Sequence, residues 1–252
     1  MARTGRPAVR HVAAVDRALA VLEALAEGEL GTNEIARRTG LNASTASRQL
    51  ATLAARGFVE HVEETGRYRL GTRLIELGNA ALGQADLRAL ARPHLRALVE
   101  ATGETATLSV PASRDAVTVD FVQSRRSVQS VAELGRPSIG HATATGKVLL
   151  AFGRAELPNG ALKAYTARTI TDRRKLSTEL ERVRRQGYAE AVGEREPHLN
   201  AIAAPVFGAR GELAAIMGIQ GPALRFSRDA MKAAVRPLLD RSAAVSATLG
   251  GG

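Results

Sequence analysis

Apolar residues recur at intervals of three and four positions through the first third of the chain, with polar residues between them. This spacing predicts a short helix that starts at Glu34-Ile35-Ala36 and a longer helix that begins near Asn42. In the longer helix, Ala46, Leu50 and Leu53 fall on one face and are expected to be buried. A preceding helix, packed beneath these two, is predicted from Val12, Val15, Leu19, Leu22 and Leu25.

The short link between the second and third helices has the composition of a helix-turn-helix. It reads Thr39-Gly40-Leu41, and Gly40 can adopt the positive φ that a tight turn needs. Asn42 can cap the following helix by accepting a backbone N–H. Small hydroxyl residues and one arginine at a helix N-terminus suit entry into a DNA major groove. An ordinary helical hairpin in a small domain is the alternative.

The segment after this hairpin predicts a wing. The runs Gly57–Val62 and Arg67–Leu70 alternate in polarity around the turn Glu63-Glu64-Thr65-Gly66, which is a β-hairpin pattern. Arg67, at the tip, is expected to reach a phosphate or the minor groove. Helix, helix-turn-helix and hairpin in this order predict a winged helix-turn-helix of about 75 residues. Its expected DNA contacts are Thr32, Asn42, Ser44, Thr45, Ser47, Arg48 and Arg67.

The pattern of the remaining chain predicts a second domain of a different class. A linker helix is expected from Thr72 to about Ala81, followed by a helix through Leu87–Leu98 that Pro93 should bend or restart. Residues 104–110 and 117–121 then alternate as strands, and Val128–Leu134 is a third candidate strand. Two later strands are predicted at Ala201–Phe207 and Leu213–Gln220. Helices are predicted at Thr145–Phe152, Asp172–Gly187 and Ser227–Leu249. The expected class is α+β, with a largely antiparallel sheet.

Composition narrows the functional classes. The chain has 252 residues and no cysteine, which excludes disulfides, thiolate metal sites and cysteine nucleophiles. No run of 18 apolar residues exists, and the N-terminal arginines lack a signal-peptide core. We therefore expect a cytoplasmic protein with no membrane partner. Residues 1–10 are interpreted as a flexible basic arm, which could follow a DNA groove or be a free tail.

The formal net charge of +10 is not concentrated in the predicted DNA-binding domain. Residues 1–78 contain 11 lysines and arginines against 9 aspartates and glutamates, so their net charge is only +2. DNA binding must therefore depend on where individual arginines lie, above all Arg48, rather than on the total charge.

No pattern indicates an enzyme, a metal site or a cofactor. Gly140–Lys147 resembles a phosphate loop, but five residues separate its glycines and Val148 replaces the Ser or Thr that would hold magnesium. The five histidines lack zinc-site spacing, and His141 is interpreted as a structural hydrogen-bonding residue. Glu194 and Glu196 form an acidic pair expected on a solvated loop.

Short motifs in a fixed order resemble the IclR-type bacterial transcription regulators along nearly the whole chain. In the first domain the matching pieces are Arg17–Leu22, Glu34–Ala36 with Thr39–Leu41, Ser44-Thr45 with Arg48, Gly57–Val59 and Tyr68–Gly71. In the second domain they are Gly103–Thr105, His141–Ala144 with Gly146-Lys147, Gly187–Ala189 and Ile202–Phe207. The resemblance implies a GAF-like effector-binding domain behind the winged helix, and homodimers that can pair into tetramers.

The resemblance also implies the position of an effector cavity. Its expected lining residues are Leu134, Ala144, Thr145, Gly146, Ala191, Ala201, Gly218 and Gln220. Related proteins often carry an acid at Ala191, cysteine or another polar residue at Ala201, and serine at Gly218 and Gln220. Here positions 191, 201 and 218 are Ala, Ala and Gly. The loss of these polar groups favours an effector that is larger or more apolar than a very small polar acid. Gln220 and Thr145 would be the remaining anchors, with Asn200 a third if it turns inward.

These observations predict four segments: the arm at 1–10, a winged helix-turn-helix at 11–71, a linker helix at 72–86 and a GAF-like domain at 87–252. The predicted function is a homodimeric regulator on a pseudo-palindromic operator, controlled by an organic acid or aromatic effector. The main alternative is a DNA-binding protein whose second domain is collapsed and only mediates oligomerisation. An architectural winged-helix protein, a GAF-based enzyme and a winged helix for protein contacts alone are further alternatives.

Overall fold

The computed structural model describes residues 12–81, 87–112, 115–130, 132–156 and 160–251, with only the backbone for residues 79–81. The chain divides into two compact units at residue 86. The predicted basic arm at 1–10 lies outside the described residues, as do the last residues of the predicted linker helix. No helix in the described ranges is long and apolar enough to cross a membrane.

The first unit contains three helices, a two-stranded hairpin and a fourth helix. These are α1 (Ala13–Leu25), α2 (Thr32–Thr39), α3 (Ala43–Ala55), β1 (Val59–Val62), β2 (Arg67–Leu70) and α4 (Arg73–Ala81). The turn between α2 and α3 forms as predicted: Gly40 has φ of +69°, and Asn42 Oδ1 accepts the Thr45 N–H at 2.8 Å. β1 and β2 pair antiparallel, with Val59 opposite Leu70, so the wing is present.

The buried face predicted for α1 is correct only in its C-terminal part, where Leu25 is buried and Leu22 packs against the same core. Val12, Val15 and Leu19 are 63%, 54% and 51% exposed, whereas Val21 and Leu25 are buried against α2 and α3. The helix carries apolar residues on two adjacent faces, and periodicity alone does not distinguish them. The prediction for α3 is confirmed, because Ala46 and Leu50 are fully buried.

The second unit is built on a six-stranded sheet whose neighbouring strands pair antiparallel, which is the arrangement that the sequence predicts. Its strands are β3 (Thr105–Pro111), β4 (Ala116–Val122), β5 (Pro137–Ser138), β6 (Ala189–Val192), β7 (Leu199–Phe207) and β8 (Leu213–Pro222). Their order is β5-β4-β3-β8-β7-β6. Its helices are α5 (Leu87–Thr102), α6 (Ala144–Phe152), α7 (Arg173–Gln186) and α8 (Arg228–Thr248).

Alternating strand residues place the sheet between two helical layers. Ala106 and Leu108 of β3 pack with α5 and α8 in the larger core of this unit. Helices α6 and α7 pack on the opposite face, in a second core that includes Ala203 and Ile216. Thr107 of β3 points to that second face, because successive strand side chains alternate. Thr107 and the other polar side chains on this face of the sheet form the floor of a cavity.

Three predictions for this unit need correction. Val128–Leu134 is not a strand over its described residues: side chains of Arg225 and Thr105 bond the Val128 and Ser130 carbonyls instead of a neighbouring strand. Helix α5 continues through Pro93 rather than restarting. The four-residue strand β6 is too short for its alternation to be recognised in the sequence.

Candidate nucleic-acid interface and ligand cavity

The N-terminal half of α3 presents a polar surface. Ser44, Ser47 and Arg48 are exposed, Thr45 is half-buried, and Leu50 holds the opposite face in the core. Asn42 is exposed but uses its side-chain oxygen to cap the helix. Thr32 is half-buried in the first turn of α2. This face can present hydroxyls and a guanidinium to base edges and phosphates.

Ion pairs divide the arginines of the first unit into two groups. Arg38, Arg67, Arg69 and Arg73 bind carboxylates of the same unit: Glu27, Glu34, Glu60 and Glu76, respectively. Among the described residues of this unit, the arginines that are exposed and make no ion pair are Arg17, Arg37, Arg48 and Arg56. Only the second group is available to a polyanion without first breaking a contact.

The sequence predicts that Arg67 reaches a phosphate or the minor groove, but in the structure its guanidinium contacts groups of the first unit. Its Nη2 lies 2.6 Å from Glu34 Oε2 and its Nε donates to the Glu29 carbonyl at 3.2 Å. Glu34 also accepts the Gly31 N–H at 3.0 Å, closing the N-terminus of α2. That backbone bond, with the positive charges of Arg67, Arg37 and Arg38, lowers the pKa of Glu34 below its ordinary value. Arg67 therefore joins the wing to the helix-turn-helix.

A cavity of about 650 Å³ lies over the polar face of the second unit's sheet. The first turn of α6 forms one wall, and residues 129–130, 132–133, 136–138 and 194–199 form others. Five residues predicted from the sequence line it: Ala144, Thr145, Ala191, Ala201 and Gln220. Its volume is that of an ordinary small-molecule site, so this part of the domain is not collapsed.

The other predicted lining residues do not face this cavity. Leu134 is 63% exposed on the surface. Gly146 packs against the Ile139–Gly140 backbone, where a Cβ would lie 2.6 Å from the Gly140 Cα. A Cβ on Gly218 would lie 2.8 Å from Thr107 Oγ1, so threonine already occupies that space. The missing side chain at Gly218 therefore adds no room for a ligand.

Asn200 also turns away from the cavity. Its side chain is buried on the other face of the sheet and donates to the Phe226 carbonyl at 2.8 Å. Gln220, by contrast, lies on the floor and donates to Ser130 Oγ at 2.7 Å. The side-chain amide oxygen of Gln220 has no hydrogen bond among the described residues and can accept one from a ligand.

Two arginines at the cavity wall were missed in the sequence. Arg136 Nη2 pairs with Glu196 at 2.9 Å, and Arg195 Nη1 donates to the Pro137 carbonyl at 3.2 Å. Burial, and next the positive charge of Arg136, lower the pKa of Arg195 from its ordinary value. Glu133 and Glu196 also line this wall, but Arg195 makes no ion pair with a described residue, so its guanidinium is available to an anion. The charged run Glu194-Arg195-Glu196 was the available signal in the sequence.

The prediction that Glu194 lies on a solvated loop is wrong. Glu194 is buried, and its Oε1 lies 2.7 Å from Nζ of Lys147, whose side chain is only 1% exposed. The same ammonium donates to the Glu190 carbonyl at 2.8 Å on the outer edge of β6. Lys147, the lysine of the phosphate-loop-like motif, therefore caps a sheet edge. His141 is structural as predicted: its Nε2 lies 2.8 Å from the Lys163 carbonyl.

Within the described ranges, no cluster of three or more histidine or acidic residues has the arrangement of a metal site. The candidate sites are therefore the exposed N-terminal half of α3 in the first unit and the small-molecule cavity in the second unit.

Comparison with known proteins matches two family models to successive parts of the chain. Residues 14–63 match the IclR helix-turn-helix domain, and residues 79–247 match the bacterial transcriptional regulator IclR C-terminal domain. The regulator BhcR of Paracoccus denitrificans is 36% identical over 86% of this chain and 80% of its own. The glycerol operon regulatory protein of Streptomyces griseus is 35% identical over 96% of this chain and 98% of its own.

Solved structures share the complete fold. An IclR homologue from Microbacterium hydrocarbonoxydans, crystallised with 4-hydroxybenzoate, superposes with a TM-score of 0.81. It is 25% identical to this chain and covers 95% of it and 100% of its own length. With both domain families matched in order, the chain belongs to the IclR family of bacterial transcriptional regulators.

Proposed function

We propose that this protein binds a pseudo-palindromic operator as a homodimer, possesses no catalytic activity, and changes its operator affinity when a small carboxylic acid occupies the cavity described above. The observation that carries the proposal is the cavity of about 650 Å³, which combines hydroxyl and amide groups on its floor with Arg136 and Arg195 at its wall. A carboxylate can be held by the guanidiniums while an apolar body rests on Ala191 and Ala201.

On DNA, two recognition helices of the dimer enter successive major grooves about one helical turn apart. Arg48 contacts a base edge, and guanine is the base whose two acceptors suit a bidentate guanidinium. Ser44, Thr45, Ser47 and Thr32 set the register through phosphates. Helix α4 carries the connection between the domains, and effector binding changes operator affinity by a coupling of about 1–3 kcal/mol.

The proposal is tested by selecting the preferred DNA site from a random pool and measuring its binding with and without small carboxylic acids. The panel begins with 4-hydroxybenzoate, which is bound to the Microbacterium homologue, and includes benzoate and aliphatic acids. We expect one member to shift both the melting temperature and the operator affinity. Operator binding with no response to the panel would favour a second domain that serves oligomerisation alone.

Replacing Arg195 with glutamine tests the anion wall. The loss of a charged hydrogen bond costs about 1.5–3 kcal/mol, so the affinity for the active acid should fall roughly tenfold to a hundredfold. Calorimetric titration of the purified protein measures this change. Arg185→Gln on the exposed face of α7 is the matched control. Equal affinity in the wild type and Arg195→Gln would remove Arg195 from the site.

Arg37 and Arg67 are expected to differ in DNA binding because only Arg67 is held by an internal ion pair. Arg37→Ala should reduce the slope of log affinity against log salt by about 0.9, as one phosphate contact is lost. Arg67→Ala should change the slope less and lower the stability of the winged helix instead. Anisotropy titrations at several salt concentrations, with thermal unfolding of the same samples, check both. A larger slope change for Arg67→Ala would reverse the assignment.

A further inference from the structure

A second cleft, of about 530 Å³, lies on the other side of Glu194 from the cavity already described. Glu194 is the one residue that lines both, and Lys147 lies beside it in the second cleft. The cleft is formed by the outer edge of β6, helix α7, the segment before α7 and the start of α8. Nothing in the proposed regulator mechanism uses it.

The charged groups of this cleft are not balanced. Its carboxylates, Glu179, Glu190 and Glu194, are all contacted by Lys147 or Arg182. Arg168 and Arg228 also line it, and neither makes an ion pair with any described residue. The lining therefore has four cations against three anions, with the two unpaired arginines exposed.

The unpaired arginines line the same cleft, and the segments that carry them lie near the end of strand β6. Arg168 packs on Gly193, where a Cβ would lie 3.3 Å from its Nη1. The segment entering α8 is held next to the same strand end, because Asn200 pairs with Val192 and donates to the Phe226 carbonyl. Arg228 is the first residue of α8, so its charge adds to the partial positive charge of that helix N-terminus.

Hydrogen-bond acceptors line the rest of the cleft. The side chain of Glu190 interacts with Arg182 at 4.0 Å and with the Tyr188 hydroxyl, and its carboxylate can still accept a further hydrogen bond. The Glu194 side chain is only 11% exposed, and its Oε2 makes no hydrogen bond in the described structure. Carboxylate oxygens accept from hydroxyl groups, whereas a second anion placed against them would be repelled.

We propose that this cleft is a second ligand site, which binds a small anion that also carries several hydroxyl groups. Arg168 and Arg228 hold the anionic group, and the glutamates on the β6 edge and α7 accept from the hydroxyls. A phosphorylated sugar and a sugar acid share this chemistry. An inorganic anion would contact only the arginines, and a neutral sugar would contact only the glutamates. Each should therefore bind more weakly than a ligand that carries both an anionic group and hydroxyls.

The test is calorimetric titration of the full-length protein with D-glucose 6-phosphate, D-gluconate, inorganic phosphate and D-glucose. We expect one of the first two to bind at one site per chain, at least tenfold more tightly than phosphate or glucose. Arg168→Gln/Arg228→Gln should weaken that binding at least tenfold. The matched control Arg174→Gln/Arg185→Gln removes the same charge from exposed positions of α7 and should leave binding unchanged.

Failure of both hydroxylated anions to bind would overturn the proposal, as would equally tight binding of inorganic phosphate. Arg195→Gln separates the two cavities: an equal loss in this variant would assign the ligand to the first cavity and overturn the second site. Operator binding by the Arg168→Gln/Arg228→Gln variant is measured in parallel. Because those arginines lie outside the winged helix, failure of this site leaves the proposed regulator function standing.

Discussion

Replacing Lys147 with methionine is expected to lower the free energy of unfolding of the second unit by about 3–5 kcal/mol. The substitution keeps the length of the side chain but leaves Glu194 buried without its cation at 2.7 Å. It also removes the donor to the Glu190 carbonyl on the open edge of β6. Urea unfolding of wild type and variant, followed by circular dichroism, measures the difference.

Arg182→Met is the matched control for this prediction. Arg182 also pairs with Glu179, at 2.9 Å, but its side chain is 40% exposed. Solvent screens such a pair, so we expect a loss of at most about 1 kcal/mol. The double variant Lys147→Met/Glu194→Leu should recover part of the stability, because removing both charges leaves neither unpaired. A Lys147→Met protein as stable as wild type would contradict the structural role assigned to the pair.

The second large effect is expected from Arg48→Ala on operator recognition. If Arg48 contacts one base pair through two hydrogen bonds, its loss should cost about 1–3 kcal/mol of discrimination at that position. Binding to unrelated DNA should fall much less. Competition titrations with the selected site and with single-base variants of it measure this at fixed salt.

Arg56→Ala is the control for Arg48→Ala, because Arg56 is also exposed, makes no ion pair with a described residue and lies at the C-terminal end of the same helix. Its removal should weaken binding to all sequences alike, if it weakens binding at all. Sequence preference that survives Arg48→Ala unchanged would show that another residue reads the operator.

Local features of the first unit were predictable because neighbouring residues decide them. The turn at Gly40 and the cap by Asn42 depend on contacts within a few positions of the chain. The buried face of α1 was not predictable in this way. Its apolar residues satisfy two overlapping helical stripes, and only packing against α2 and α3 selects between them.

The cavity was only partly predictable. Thr145 and Gln220 were identified as polar anchors, and both line it. Gly218 was expected to leave space, but Thr107 from the neighbouring strand fills it. Which side chain occupies a gap between strands depends on their register, and the sequence of one strand does not specify its partner.

The sequence by itself determined the helices and the longer strands, the class of the second domain and the family, because periodicity, turn residues and ordered motifs are local. Only the tertiary structure decided which charges are free. Arg67 is paired with a glutamate 33 positions away and Lys147 with one 47 positions away, whereas Arg37, Arg168 and Arg228 make no ion pair with a described residue. An ion pair depends on distance in space, and the fold sets that distance.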